Sequence, residues 1–248
     1  MPSQDPVIPL LVGGLVAVSV LAAFSIVVWL WAVRRPAPEP GDQAEAEDRP
    51  LVYVAMGAQF GLGLDNDVDG GRNWVELLRE KMPEGTRLIT LGRRGVTLGE
   101  LNKLEISAAV QARPDIITLW SVVSDATRKV ALADYLRDLH MALTALCRGT
   151  RASILLLNLP DISIITPDMP DEQRALVRGG VAQWNRAIAD AVRRYGRRVR
   201  VVDTFPSSEQ LLEPADGSAG QGGTSERNAL LAELVWHTLE RERLLDTA

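Results

Sequence analysis

The chain has 248 residues, 46% of them hydrophobic and 24% charged, a composition ordinary for a globular protein and sufficient to bury one sizeable core. A net charge of -5 lacks the basic footprint that nucleic-acid binding needs, so nucleic acid is excluded as a partner. The single cysteine, Cys147, excludes an intramolecular disulfide and a cysteine-rich zinc site, and its helical context predicts a packing role.

From Pro6 to Val33 no residue is charged. A helix over residues 7–33 would reach roughly 40 Å, enough to cross a bilayer with some tilt. Trp29 and Trp31 fall near its end, where indoles favour the interface, and Arg34-Arg35 close it. A cleaved signal peptide fits less well. No Lys or Arg precedes the run, and the run continues well past its small-x-small triplet Ala17-Val18-Ser19. Residues 1–34 are therefore read as a single-pass transmembrane anchor. The positive charges Arg34, Arg35 and Arg49 all follow the span, which favours a cytoplasmic domain, with an extracytoplasmic one as the alternative. Residues 35–50, rich in Pro, Ala and acidic side chains, read as a solvated linker.

Residues 51–248 carry the folded domain. Short apolar runs at Leu51 to Met56, Thr86 to Leu91, Ile116 to Trp120, Ser153 to Asn158 and Val199 to Val202 read as strands. Helical patterns fill the gaps: Trp74 to Lys81, Thr97 to Gln111, Lys129 to Cys147, Asp171 to Tyr195 and Ser225 to Leu245, with Gly196 stopping the fourth. Continuous rather than alternating apolar strands suit a sheet covered on both faces. The expected fold is α/β, a three-layer α/β/α arrangement around a five-stranded parallel sheet. Its functional crevice would form beyond the carboxyl ends of the strands. There Gly57 to Gly63, Gly92 to Gly95, Ser121 to Asp125 and Asn158 to Asp161 would converge.

Gly57, Gly61 and Gly63 match neither the dinucleotide fingerprint nor the phosphate loop, so no nucleotide cofactor is expected. Asp65-Asn-Asp67-Val-Asp69-Gly70, followed by Glu76, matches the spacing of a calcium loop. A strand and elbow precede it where an EF-hand needs a helix, so a solvated acidic loop is the favoured reading and no metal is assigned. Arg93-Arg94 reads as a solvated surface pair. The two histidines, His140 and His237, fall in the middle of helical patterns and off the strand-end loops.

These strand-end segments, in this order, resemble the SGNH (GDSL-type) hydrolase family over roughly residues 51 to 245. The resemblance implies a Gly-Asp-Ser block after the first strand. Ala55-Met-Gly57-Ala58-Gln59-Phe-Gly61-Leu-Gly63 matches its glycines and carries Ala58-Gln59 in place of Asp-Ser. Gly95 stands where the family has an oxyanion-hole glycine. In the third block, usually Gly-x-Asn-Asp, Val122 and Ser124 replace Gly and Asn, and Asp125 is kept. Asn158-Leu-Pro-Asp161, Gln183-Trp-Asn185 and Asp203 look like further landmarks. The last block should supply Asp-x-x-His. Aligned on Asp216 it has Ala219 at the histidine position, and aligned on the last helix it has Ala219 and Gly222.

An amide has no readily ionised proton, so Gln59 cannot be turned into a nucleophile, and nucleophile and base act as a unit in serine hydrolases. No catalytic residue is assigned. Gly57, Ala58, Gln59, Gly95, Ser124, Asp125 and Asp216 are expected to line a vestigial or ligand-binding crevice for an ester, a glycan-like ligand or a protein partner. The expected function is binding or scaffolding at a membrane. The alternative is a GDSL-type esterase with rearranged catalytic residues.

Overall fold

The computed structural model describes residues 49–57, 72–93, 95–166, 168–212 and 222–245. The proposed anchor, most of the linker, Ala58, Gln59, the acidic run 65–70, Asp216 and Ala219 lie outside the described residues. Among the described residues no helix is long and apolar enough to cross a membrane. The unit Pro50–Ala248 holds all of the buried core described below.

Five strands, β1 (Val52–Gly57), β2 (Arg87–Leu91), β3 (Ile116–Trp120), β4 (Ser153–Leu157) and β5 (Val199–Val202), form one parallel sheet ordered β2-β1-β3-β4-β5. The register runs Val54 against Ile89 and Ile117, and Leu156 against Leu119 and Val201. Every residue of β1 and β3 is buried, as unbroken apolar runs require when helices cover both faces of a sheet. β2 is an edge strand and leaves Arg87 and Thr90 exposed. Within the sheet, the Tyr53 hydroxyl meets Thr118 Oγ1 at 2.8 Å, and burial pushes the phenol above its ordinary pKa.

The helices are α1 (Trp74–Lys81), α2 (Leu98–Leu104), α3 (Ile106–Gln111), α4 (Val122–Thr127), α5 (Leu132–Gly149), α6 (Asp171–Val192), α7 (Ser208–Leu212) and α8 (Gly222–Arg241). α1 packs on α8, while α2 and α3 pack on α5, which also meets α6, giving two helical layers around the sheet. Both α1 and α2 begin with a capping box, Asn73 with Glu76 and Thr97 with Glu100, so each start satisfies its own first N–H groups.

The expected helix over Thr97 to Gln111 divides at Glu105, which serves as C-cap of α2 and N-cap of α3. The fourth helix ends at Val192 rather than Tyr195, and Gly196 (φ 58°) lies in a following 3-10 turn, Arg193–Arg198. The expected strand-end loop Ser121 to Asp125 is instead mostly helical: Ser121 is the N-cap and α4 follows at once. Six residues are too few for a helical period to emerge from the sequence.

Candidate functional site

The strand order steps outward from β1 to β2 and then returns past β1 to β3. Connections leaving β1 and β3 thus diverge, and the crevice of such a sheet opens at that switch point. Gly57 ends β1 in register with Trp120 at the end of β3, so both stand at that end of the sheet. Gly57 has φ 128°, and a Cβ there would collide with the Trp120 carbonyl. Gly92, just past β2 with φ 117°, meets the Gly57 carbonyl in the same way. Glycine is required at both places because three backbones approach closer than any side chain permits. The segment bearing Ala58 and Gln59 therefore springs from a backbone held on both sides.

Asp125 is 1% exposed on α4, and its carboxylate accepts the N–H of Leu98 at 3.0 Å. Leu98 is the first residue of α2, whose N–H has no partner within its own helix. Nearby, Arg128 donates to the Gly95 carbonyl at 3.3 Å and pairs with Glu100 at 2.9 Å. Together these bonds tie the Gly95 turn (φ 69°) to the segment after β3. Burial raises the Asp125 pKa to about 6; the Leu98 N–H and Ser121 oppose that rise, Asp138 adds to it, and Arg128 opposes it. Ser124 is 2% exposed, and the hydroxyl of Ser124 is buried without a hydrogen-bond partner among the described residues. The structure therefore gathers Gly57, Gly95, Ser124 and Asp125 at one end of the sheet. Asp125 supports the backbone there, and the hydroxyl of Ser124 does not open to solvent.

At the ends of β4 and β5, Asn158 acts as a clamp. Its Nδ2 donates to Asp203 at 2.7 Å, and its Oδ1 accepts the Thr204 N–H at 2.7 Å and the Thr204 hydroxyl at 2.9 Å. The Trp120 indole donates to the Asn158 carbonyl at 3.2 Å, linking this clamp to the end of β3. Asn185 of α6 grips the next residue from both sides, accepting from Leu159 N and donating to Leu159 O. Asp161 caps the 3-10 turn Ile162–Ile165 through Ser163 and meets Arg178 at 3.3 Å. Thr204 is fully buried, so Asn158→Ala strands its N–H. The variant should lose about 2 kcal/mol of stability, seen as a lower urea midpoint at unchanged slope. A shift worth less than about 0.5 kcal/mol would mean that the clamp is not formed in solution.

On the opposite flank, Trp74 opens α1, and its N–H donates to Asn228 of α8 at 2.8 Å. The Trp74 ring packs edge-on against Trp120, with ring centroids 6.4 Å apart, and its indole N–H is buried without a partner among the described residues. Sequence reasoning passed over Arg128 and Asn228. Arg128 lies one helical turn from Asp125, a spacing that could have flagged it, whereas Asn228 is separated from Trp74 by 154 residues and left no signal.

Neither histidine reaches the strand ends. His140 sits on α5, where Nδ1 is 2.7 Å from the Tyr195 hydroxyl. It lines an open groove of about 370 Å³ between α5 and α6 with Leu139, Leu143, Ala191 and Arg194. His237 is exposed on α8 beside Glu233 and Glu240. Glu76, the last position of the calcium-like spacing, accepts the Asn73 N–H and closes the α1 capping box. Among the described residues no cluster of His, Cys, Asp and Glu is arranged to hold a metal.

Solved structures share this architecture. TesA aligns at 18% identity with a TM-score of 0.57, covering 77% of this chain and 99% of that one. LAE5, an alpha/beta hydrolase enzyme from the metagenome of Lake Arreo, Spain, aligns at 19% identity and TM-score 0.53, covering 74% and 94%. A catalytic mutant of the acetylxylan esterase Axe2 from Geobacillus stearothermophilus aligns at 17% identity and TM-score 0.52, covering 75% and 94%. Nothing among the curated proteins matches the chain. Identities this low speak for the fold alone. Residues 56–229, from the end of β1 into α8, match the model of the GDSL-like Lipase/Acylhydrolase family, in agreement with the glycines and strand-end segments described above. On that match, which spans most of its length, the chain belongs to the GDSL-like lipase/acylhydrolase family.

Proposed function

We propose that this chain is a membrane-tethered member of the family that binds a carbonyl-bearing ligand, an ester or a glycan ester, without hydrolysing it. One observation carries the reading: Ala58-Gln59 stands where the family has Asp-Ser, and Ala219 or Gly222 stands where it has histidine. The placement of the remaining chemistry supports it. His140 and His237 lie on helices, the first engaged by Tyr195, and a catalytic base must come within hydrogen-bond reach of its proton. Ser124 is buried, and Asp125, the carboxylate one residue on, accepts from the start of α2. The Gln59 amide suits recognition of a carbonyl group.

The tether rests on the charge-free run from Pro6 to Val33 and the arginines that follow it. Resistance of the full chain to alkaline carbonate extraction from membranes tests it. Release into the supernatant would remove the anchor from this reading.

The alternative, an esterase with rearranged residues, draws on Asp125, whose pKa of about 6 would make it a stronger base than an ordinary carboxylate, with Ser121 close by. Its burial argues against substrate access. The test is turnover of short p-nitrophenyl esters by the parent chain, alongside a Gln59→Ser, Ala219→His double variant. The parent should show no turnover above the uncatalysed rate. Parental turnover that disappears in Ser121→Ala or Ser124→Ala would sink the binding reading and establish a relocated nucleophile.

A further inference from the structure

Arginine recurs where the chain enters the sheet. Arg87 begins β2, Arg113 lies three residues before β3, and Arg151 and Arg197 lie two residues before β4 and β5. All four are exposed. Parallel strands align these entries along one edge of the sheet. In the order β2-β1-β3-β4-β5, at about 4.8 Å per step, the row spans roughly 19 Å. None of the four takes part in the ion pairs formed among the described residues, which engage Arg72, Lys81, Arg128, Arg137, Arg178, Arg193, Arg200, Arg241 and His237. The acidic side chains around these entries are Glu84, which is exposed, Asp115, which accepts the Val52 N–H at 2.7 Å, and Glu242, which is held by Arg200 at the β5 entry; Glu45, Glu47 and Asp48 precede β1 in the chain. Such a row in a chain of net charge -5 is a local excess of positive charge at the end of the sheet opposite the crevice.

We propose that this edge is a docking face for the anionic headgroups of a lipid bilayer, with Arg87, Arg113, Arg151 and Arg197 as its contacts. Two features argue for that occupant. The guanidinium fork matches phosphate oxygens, and a row of arginines faces a planar array of headgroups without needing a pocket. The chain also enters the sheet at this edge, through Pro50 and Leu51 into β1, so the proposed anchor precedes the domain on the side that carries the row. Docking by this edge would turn the strand carboxyl ends, and the crevice with them, away from the lipid.

The inference rests on the membrane tether proposed above, and its test separates the two. The full chain is reconstituted into nanodiscs of phosphatidylcholine alone and of phosphatidylcholine with phosphatidylserine, and amide hydrogen exchange is followed. Residues 112–115, 149–152 and 194–198 should exchange more slowly on the anionic discs. Residues 121–131 and 159–166, at the crevice end, should not change. High salt should remove the difference, as should the combined variant Arg87→Gln, Arg113→Gln, Arg151→Gln, Arg197→Gln, whose thermal melt checks its folding. Equal exchange on both lipids, or protection at the crevice end, overturns the proposal.

A second arm does not depend on the anchor. The fragment Pro50–Ala248, which carries the whole core, is sedimented with vesicles of the same two compositions. It should bind the anionic vesicles more tightly by about fivefold for each contacting arginine, about 600-fold for all four, a preference that the combined variant abolishes. If nanodiscs fail to retain the full chain, the anchor falls and this vesicle preference alone decides the docking face. Binding of the fragment to a single-stranded oligonucleotide with none to anionic vesicles would overturn the lipid assignment in favour of nucleic acid.

Discussion

Gly57→Ala should destabilise the domain by about 4 kcal/mol, because two independent costs coincide at one atom. The residue has φ 128°, where an L side chain is strained, and its Cβ would collide with the Trp120 carbonyl. Relief is blocked because Gly92 is packed against the Gly57 carbonyl on the other side. The strand ends would have to part. The matched control is Gly179→Ala, on an exposed face of α6 with no atom in the path of a Cβ. It should raise stability by about 0.5 to 1 kcal/mol through lower chain entropy in the unfolded state. Urea unfolding followed by circular dichroism reads both. Similar midpoints for the two variants would mean that the backbones of β1, β2 and β3 are not held at this separation.

A pH effect of unusual sign should arise from Asp125. Its pKa in the folded protein is raised to about 6, with burial as the chief cause, against about 3.9 in an unfolded chain. Below about pH 4 the carboxyl is protonated in both states, and its contribution to stability is fully present. As pH rises toward 6, the unfolded chain gives up the proton while the folded protein retains it, and that contribution is lost. The loss should reach about 3 kcal/mol and level off above the folded pKa. Asp125→Asn keeps an oxygen for the Leu98 N–H and cannot ionise, so it should abolish this component.

Chemical denaturation of parent and variant between pH 4 and 8 measures the difference. The gap in favour of the variant should widen as pH rises; a constant gap would refute the assignment. Tyr135, whose phenol is pushed up by burial and by the Asp125 charge, faces the same carboxylate, as do Asp138 and Arg128. Tyr135→Phe provides a check that the titrating group is the carboxylate, since it should leave the pH window in place.

The strands were legible because their signal is local. Ile116 to Trp120 and Val199 to Val202 coincide with β3 and β5, β2 and β4 differ by a residue at one end, and β1 is shifted by one residue at both ends. Continuous apolar runs between helical stretches indicated a covered parallel sheet. The helix at Trp74 to Lys81 was equally plain, whereas α4 and α7, with six and five residues, were too short to display a period.

The amino-acid sequence by itself determined the sheet and the family likeness, because each is a matter of chain order and side-chain chemistry. Tertiary structure alone decided what the polar residues do. Asp125 reads as a member of a catalytic block, yet it closes the start of a helix 27 residues earlier in the chain. Asn158 and Asn185 read as landmarks, and their partners lie 46 and 26 residues away. The arginines at the strand entries, scattered over more than 100 residues, become one row only because parallel strands bring all their entries to a single edge. A hydrogen bond or a charged face depends on proximity in space, and the spacing of residues along a chain does not specify that proximity until the sheet has formed.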